Sequence, residues 1–233
     1  MRPLIGIGLL VLAAIGLAMF ASHIHPGGDL PSNEILDQKE QDEAVAKKAA
    51  EDARRALVDH SAGAFDAVKA GAIHATLVFD GKAPIQIELY PAAAPKTVAQ
   101  ISGLIKRGFY NGIKVHRLET GTPGPNGETG LYLFQFGDPE SAKSEPAKFQ
   151  DDHIGSHGSG TMVPLEVKLP HVKGSVGMAR SQAEDSGDSQ MYINTRENPN
   201  LDGDYCIFGM VVGGQDVLST VKVGDVIKSF TLQ

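Results

Sequence analysis

The chain has a single cysteine and no excess of basic residues, and each of these shortages excludes a class of function. Cys206 alone cannot form an internal disulfide or a cysteine-based zinc site. The formal net charge of -7 argues against non-specific nucleic-acid binding, which requires a basic face. We therefore expect no nucleic-acid partner. At 233 residues, the chain can hold one well-buried domain with extensions, but not two large ones.

Common motifs of catalytic and metal sites are also missing. The sequence contains neither a Gly-rich phosphate loop followed by Lys-Ser/Thr nor a G-x-S-x-G nucleophile elbow. Residues 198–209 begin like a calcium loop, but the twelfth position is Gly209, where a bidentate carboxylate is required. His153 and His157 lie in a Gly-rich segment with no third ligand nearby. We therefore predict no cofactor and no metal ion.

Charged residues are absent from Pro3 to Ala21, directly after Arg2. At a rise of about 1.5 Å per residue, this apolar run can just cross a hydrocarbon core of about 30 Å. It is longer than the apolar part of most signal peptides, and Met19 and Phe20 interrupt the small residues that a cleavage site needs. We therefore predict that residues 1–21 are a signal anchor that binds the membrane through residues 3–21. A cleaved signal peptide is the alternative.

The charges that flank this run indicate its orientation. Arg2 lies on the short leading end, which places the amino terminus inside and the bulk of the chain outside. We expect the chain in a bacterial inner membrane, with its domain on the outer side, periplasmic or extracytoplasmic. After cleavage of the signal, the protein would instead be secreted.

Residues 22–71 are predicted to be a linker followed by a charged helix. Proline and glycine in residues 22–33 are typical of a linker. From Glu34 to about Ala70, the chain is rich in residues that favour a helix, chiefly Ala, Glu, Lys and Arg. Its apolar positions are too sparse for a stripe that faces a core. A solvated spacer helix is the favoured interpretation, and a partner-binding or dimerising helix is the alternative.

From residue 72 onward, the pattern changes to short β-rich runs. Two such runs flank Asp80-Gly81, which is a hairpin signal. Apolar residues at helical spacing in 94–107 predict a helix that Gly108 stops, and a second short helix is expected at 215–221. A strand-like piece occupies 161–169. Many short strands with two helices predict a β-barrel or sandwich with helical lids.

Arg117 is an unusual cation within one of these predicted strands. With a period of two, it shares a face with Ile113 and Val115. An amide beside an aromatic residue, opposite an apolar face, suits a binding groove. The residues of this kind on other predicted strands are Gln135, Gln190 and Tyr192.

Five segments, taken in order, resemble cyclophilin-type peptidyl-prolyl cis-trans isomerases. They are GFYNGIKVHRLE at 108–119, FQFGDP at 134–139, GSVGMARS at 174–181, DSQMYI at 188–193 and LDGDYCIFGMVVGG at 201–214. The resemblance covers residues 72–233 and implies a mainly β fold, a closed eight-stranded antiparallel barrel capped by two helices. The N-terminal apolar helix at 1–21 and the charged spacer at 22–71 precede this domain.

The resemblance also implies a site and an activity. Arg117 matches the family's catalytic arginine, and Gln135 matches its neighbouring groove glutamine. The positions that match substrate-binding residues are Tyr132, Leu133, Ala179, Gln190, Tyr192, Leu201 and Tyr205. The implied function is isomerisation of X-Pro bonds in exported proteins, with proline-containing peptide segments or unfolded proteins as partners. A cyclophilin-like peptide-binding module with weak or no catalysis is the alternative, and a purely structural role is a third.

The sequence departs from the family's pattern in three places. Arg117 and Gln135 are 18 positions apart, further than in the family, so a longer loop is expected beside the groove. The Gly-Thr-Gly-Gly stretch after the family's Gly-Asp is replaced by the segment 139–153. Asn200 stands where a tryptophan is typical of cyclosporin-sensitive members, so we expect low cyclosporin sensitivity.

Overall fold

The computed structural model of the chain describes residues 32–121 and 130–233. Its α-helices are α1 (Ser32–Arg55) and α2 (Pro95–Lys106). Its strands are β1 (Ile73–Phe79), β2 (Ile85–Leu89), β3 (Arg117–Thr120), β4 (Leu131–Phe136), β5 (Ser175–Met178), β6 (Met191–Asn194), β7 (Cys206–Gly213) and β8 (Ile227–Leu232). Residues 49–233 form one compact unit, and the helical residues before Ala49 belong to a second.

The eight strands form one antiparallel sheet, in the order β3-β4-β6-β5-β7-β2-β1-β8. The hairpin predicted around Asp80-Gly81 is confirmed, because β1 pairs with β2 across it, with Leu77 opposite Ile85. The strand-like piece predicted at 161–169 is wrong. Of these residues, Val163 alone makes an isolated bridge, to Gly187, and the rest are irregular.

The sheet curves into a half-barrel, and the prediction of a closed barrel is wrong. Between the edge strands β3 and β8, the described residues 112–115 and 224–227 make backbone hydrogen bonds of 2.8 to 2.9 Å and one isolated bridge, and no ladder joins the two strands there. On the side away from β8, the Lys114 N–H donates to the Ser141 hydroxyl at 3.0 Å. That hydroxyl in turn donates to the Asp138 carbonyl at 2.6 Å.

One layer of apolar side chains fills the concave side of the sheet. Strands bury alternate residues, and here the inward set is rich in phenylalanine, including Phe79, Phe134, Phe136 and Phe208, each fully buried. Tilted and edge-to-face ring pairs, such as Phe79 against Phe136 at 6.2 Å, hold this core together. This core stabilises the fold, and the convex side of the sheet remains available for a site.

Helix α2 covers this core, as the helical spacing predicts. Its apolar face buries Val98, Ile101 and Leu104, and Gly108, with φ of 69°, follows its end. Its start has no capping side chain of its own. Instead, the Glu166 carboxylate accepts the backbone N–H groups of residues 96 and 97 at 3.1 and 2.9 Å. The second predicted cap is a four-residue 3₁₀ helix, Val217–Thr220.

The charged helix is shorter than the sequence predicts. Helix α1 ends at Arg55, and its residues 37–50 are exposed, as expected for a solvated helix. The chain then leaves the helix, and Val58, Ala64 and Val68 are buried within the compact unit. This happens because residues 56–70 carry enough apolar and small side chains to pack, whereas those of 37–50 do not.

Arg117 does not share a face with Ile113 and Val115, contrary to the sequence interpretation. Both apolar residues lie in the core, whereas Arg117 is exposed and Leu118 packs inward. The period of two fails because residues 113–116 are not in a strand, and β3 begins only at Arg117. The irregular stretch shifts the phase by one residue and turns the arginine outward.

Within the two described ranges, no helix is both long and apolar enough to cross a membrane. The anchor or signal predicted at residues 1–21 lies outside those ranges.

Replacing Ser141 should test the hydrogen bonds that connect Lys114 to the Asp138 backbone. Ser141→Ala removes a buried hydroxyl and leaves the half-buried Lys114 N–H without its acceptor, so we expect a loss of about 1–3 kcal/mol in the free energy of unfolding. Urea denaturation measures this loss. The control is Ser219→Ala, which removes an exposed hydroxyl that donates to Asp216, with an expected change within about 0.5 kcal/mol. Equal losses would contradict the role given to Ser141.

Candidate functional site

The pairing of neighbouring strands places several predicted site residues in one row. Arg117 on β3 lies opposite Gln135 on β4, which lies opposite Tyr192 on β6, and Tyr192 lies opposite Gly177 on β5. Directly opposed residues in a sheet project to the same face. The row therefore runs across the convex face of the sheet, away from the phenylalanine core.

A β-bulge turns two adjacent residues of β4 toward this face. Glu119 pairs with Leu133 and Thr120 pairs with Leu131, which leaves Tyr132 as the extra residue. Both Tyr132 and Leu133 consequently pack in the same apolar cluster outside the main core. The longer loop predicted beside the groove falls mostly on residues 122–129, outside the described ranges.

The predicted pocket residues come together in this outer apolar cluster. Leu133 and Tyr192 are buried, at 6% and 3% exposure, and form its floor. The half-buried residues packed against them include Tyr132, Ala179, Leu201 and Tyr205. Tyr205 meets Tyr192 edge-on, with ring centroids 6.0 Å apart. The cluster offers an apolar surface next to the row, and its substrate-binding role stays a prediction.

Side-chain amides link Arg117 to the loop at the edge of the site. Arg117 Nη1 donates to Gln135 Oε1 at 3.5 Å, and Gln135 Nε2 donates to Gln190 Oε1 at 2.8 Å. Gln190 Nε2 donates to the carbonyls of Gly155 and His157 at 2.9 and 2.8 Å. This chain of donors fixes the orientation of each amide and steers the guanidinium over the groove.

Arg117 also forms an ion pair with Glu119, and sequence reasoning missed this partner. The second Glu119 oxygen accepts the Tyr132 hydroxyl at 3.3 Å, and the Arg196 guanidinium lies 4.7 Å from the centre of the Tyr132 ring. The Arg117 side chain remains 58% exposed. A guanidinium has five N–H donors, so it can hold Gln135 and Glu119 and still donate to a ligand.

The Tyr192 hydroxyl points away from the groove into a buried hydrogen-bond chain. His171 Nδ1 lies 2.7 Å from the Asp202 carboxylate, which can only accept, so this nitrogen carries the proton. His171 Nε2 then accepts the Tyr192 hydroxyl at 2.7 Å. A Cβ at Gly177 would overlap the Tyr192 ring, so the absence of a side chain there leaves room for the tyrosine.

The segment that replaces the family's Gly-rich stretch forms a wall beside Arg117. Residues 139–148 contain two 3₁₀ turns. The fully buried Asp138 carboxylate accepts the N–H groups of Gly155 and His157 at 2.6 and 3.1 Å, which fastens the end of the segment to the sheet. A cavity of about 910 Å³ lies between this wall and Arg117. A second, of about 570 Å³, lies between Gln135, Gln190 and Ala179.

His116 lines the larger cavity next to Arg117 as a buried, neutral imidazole. Both ring nitrogens are shielded from solvent. Burial lowers the pKa of His116 to about 4, and the nearby Asp138 carboxylate opposes this shift only in part. Burial also lowers the pKa of His171. Across the part of the chain that the structure describes, no three His, Cys, Asp or Glu residues gather into a possible metal site.

The family model described as cyclophilin type peptidyl-prolyl cis-trans isomerase/CLD matches residues 74–231 of the chain. The chain belongs to the cyclophilin family. This cyclophilin is 35% identical over 175 residues to a probable peptidyl-prolyl cis-trans isomerase of Brucella suis, covering 74% of this chain and 84% of that one. It is 31% identical to peptidyl-prolyl cis-trans isomerase B of Bacillus subtilis, covering 67% and 95%.

Solved cyclophilin structures share the fold. A cyclophilin type peptidyl-prolyl cis-trans isomerase of Cryptosporidium parvum superposes with a TM-score of 0.56 at 20% identity, covering 70% of this chain and 98% of that one. The cyclophilin AquaCyp293 of Hirschia baltica gives 0.54 at 20% identity, covering 75% and 81%. Three predictions are therefore confirmed: the cyclophilin family, the mainly β fold, and the enzyme class of peptidyl-prolyl cis-trans isomerases.

Removal of the Tyr192 hydroxyl should show how much the buried hydrogen bonds beneath the pocket contribute to stability. Tyr192→Phe keeps the ring but leaves His171 Nε2 buried without a donor, so we expect a loss of about 1–3 kcal/mol in the free energy of unfolding. Tyr205→Phe, at a half-buried ring of the same cluster, is the matched control and should cost less. Thermal and urea denaturation give both values, and a smaller loss for Tyr192→Phe would contradict this assignment.

The buried histidines should make stability depend on pH. Because the pKa of His116 is about 4 in the folded chain and 6.5 when exposed, the unfolded chain binds more protons between these values. The free energy of unfolding should therefore fall as the pH is lowered from 8 to 5, by roughly 2 kcal/mol from His116.

Urea denaturation at both pH values measures this fall, and His116→Gln should reduce it. His153→Gln is the control, because His153 is an exposed histidine that lines the same cavity. The assignment is wrong if His116→Gln leaves the pH dependence as it was.

Proposed function

We propose that this cyclophilin is an active isomerase whose catalytic group is Arg117, and that it acts on X-Pro bonds of exported proteins. The observation that carries this proposal is the row on the convex face, where Arg117 and Gln135 adjoin the apolar cluster around Tyr192. A Cryptosporidium parvum cyclophilin solved in the presence of the dipeptide Ala-Pro supports a proline-containing segment as the ligand.

Non-covalent binding is sufficient for this reaction. Rotation about an X-Pro bond breaks amide resonance, against a barrier of about 18–20 kcal/mol. A site that binds the twisted state better than either planar isomer lowers that barrier. As the bond twists, the proline nitrogen regains its lone pair and accepts a hydrogen bond. Arg117 presents donors beside the pocket that can reach this nitrogen and the proline carbonyl.

The remaining site residues would position the substrate and exclude water from it. Leu133, Tyr192 and Leu201 would hold the pyrrolidine ring and exclude water, which strengthens the hydrogen bond from Arg117. Gln135 and Gln190 would fix the substrate backbone, since both are themselves held in a continuous chain of hydrogen bonds. Because Asn200 replaces the tryptophan of sensitive members, low cyclosporin sensitivity remains part of the proposal.

We further propose that residues 3–21 anchor the chain in a bacterial inner membrane, with the isomerase domain on the outer side. The support is the uncharged apolar run and the position of Arg2 before it. Secretion after signal cleavage is the alternative. Fractionation with detergent extraction, together with the mass of the mature chain, distinguishes the two. A mature chain that lacks residues 1–21 would rule out the anchor.

A peptide-binding module with weak catalysis is the second candidate. The ion pair between Arg117 and Glu119 favours it, because the carboxylate neutralises part of the charge that would stabilise the twisted bond. In this case, proline-containing peptides would bind at the pocket, and their isomerisation would remain near the uncatalysed rate.

A protease-coupled cis-trans assay on the full-length chain separates these candidates. An active isomerase should accelerate the isomerisation of an Ala-Pro peptide, and Arg117→Ala should lower kcat/KM about a hundredfold. This corresponds to the loss of roughly 3 kcal/mol of transition-state stabilisation.

Arg107→Ala is the matched control, because Arg107 is an exposed arginine directly after α2 and outside the site. It should leave kcat/KM within about twofold. If the wild-type chain shows no rate above the uncatalysed one, the isomerase proposal fails, and the binding module stands only if the chain binds the Ala-Pro peptide.

A further inference from the structure

The end of the charged helix is bonded to both loops that border the outer apolar cluster. We name residues 181–187, which follow Ala179, and residues 202–204, which lie between Leu201 and Tyr205, the two rim loops. Arg54 Nη1 lies 2.9 Å from the Glu184 carboxylate on the first rim loop. On the second, Arg54 Nε donates to the Gly203 carbonyl at 3.2 Å, and its Nη2 lies 3.8 Å from the Asp204 carboxylate.

Arg55 and Gly203 add further contacts between the end of α1 and the second rim loop. Arg55 Nη2 lies 3.2 Å from Asp204 Oδ2. Gly203 has φ of 83°, and a Cβ there would come within 2.6 Å of Arg55 Cγ and 2.8 Å of its backbone nitrogen. No other residue type fits this approach without moving the helix. The second rim loop is therefore pressed directly against the last turn of α1.

A second arginine, from inside the domain, connects the same two rim loops. Arg180 Nε donates to the Asp204 carbonyl at 2.7 Å, and its Nη1 donates to the carbonyls of Ser181 and Gln182 at 2.9 and 3.2 Å. Its guanidinium lies 4.9 Å from the centre of the Tyr205 ring. Arg54 and Arg180 thus hold the rim from two sides, and Tyr205 is the pocket residue between them.

The segment after the helix supports the rim from below. The Asp59 N–H donates to the Lys168 carbonyl at 2.9 Å, and His60 lies 3.7 Å from Asp202. Ala64 and Val68 are members of the outer cluster itself. Asp202 also holds His171 beneath Tyr192, so the contacts of this segment reach the floor of the pocket.

We propose that Arg54 is a positioning residue of the isomerase, and that the end of the charged helix is part of the substrate-binding unit. This inference rests on the proposed function, since it assigns the proline pocket to the outer cluster. Arg54 does not contact substrate. It keeps the rim loops at the spacing that places Leu201, Tyr205 and Ala179 around the proline ring. Its side chain is only 20% exposed and has three partners, so it is more than a solvated surface pair.

The test compares substrate affinity with turnover in the full-length chain. Arg54→Ala should raise KM for an Ala-Pro peptide about fivefold and leave kcat within about twofold, because the reacting groups stay in place. Arg54→Lys keeps the charge but cannot reach both rim loops with a forked group, so it should restore part of the affinity. The dissociation constant of a fluorescent Ala-Pro peptide should rise in parallel with KM.

Glu184 provides a double-mutant cycle with Arg54. Glu184→Ala alone should raise KM by a smaller factor, and the Arg54→Ala, Glu184→Ala double variant should be no worse than Arg54→Ala. Glu184 is 51% exposed on its loop, so this variant is expected to fold even if Arg54→Ala does not. Lys47→Ala, which removes a positive charge from an exposed position of α1, is the matched control and should change neither KM nor kcat.

The outcomes separate this inference from the proposed function. Unchanged KM and unchanged peptide affinity in Arg54→Ala would overturn it, as would equal effects of Lys47→Ala or additive effects in the cycle. A wild-type chain that binds the peptide without turnover would refute the isomerase activity, while the dissociation constants would still decide the role of Arg54. A wild-type chain that neither binds nor turns over the peptide would overturn both.

Discussion

The alignment of β3, β4 and β6 is the constraint on which the site depends. Only this register sets Arg117, Gln135 and Tyr192 side by side on the convex face, and a slip of one residue would turn each of them into the core. The bulge at Tyr132 confines the register shift to the end of the β3–β4 pair, and Arg117 stays opposite Gln135. The backbone positions of the catalytic candidate and of the apolar floor are therefore set by backbone hydrogen bonds, and side-chain hydrogen bonds then orient the amides and the guanidinium.

The two sides of the sheet have separate tasks. The concave side holds a core of fully buried phenylalanines and is closed by α2, so it supplies most of the stability. The convex side holds a smaller cluster, which is completed by residues 56–72 on one flank and remains half-buried at Leu201 and Tyr205. The extension before β1 thus acts as an outer layer of the domain. Beyond this extension, the cluster stays open to solvent at Leu201 and Tyr205.

Much of this arrangement could be predicted from local sequence patterns, and the exceptions have a common cause. The hairpin at Asp80-Gly81 and helix α2 follow from turn residues and periodicity. The ordered motifs allowed the site residues to be assigned from their resemblance to a known family. The cap of α2 by Glu166, the hydrogen bond from Lys114 to Ser141 and the contacts of Arg54 with the rim loops could not be predicted. Each joins groups far apart in sequence through polar atoms, and polar pairing at a distance leaves no periodic pattern.

The close fit between Gly177 and Tyr192 has a consequence for how such a pocket can change over generations. Any side chain at position 177 requires the ring at 192 to tilt, and the hydrogen bond of its hydroxyl to His171 opposes that tilt. Loss of the hydroxyl first releases the ring, after which position 177 can accept a small residue. If position 177 changes first, the intermediate protein has a new side chain at 177 that overlaps the Tyr192 ring. Substitutions at these two positions are thus expected to accumulate in one order and not the other.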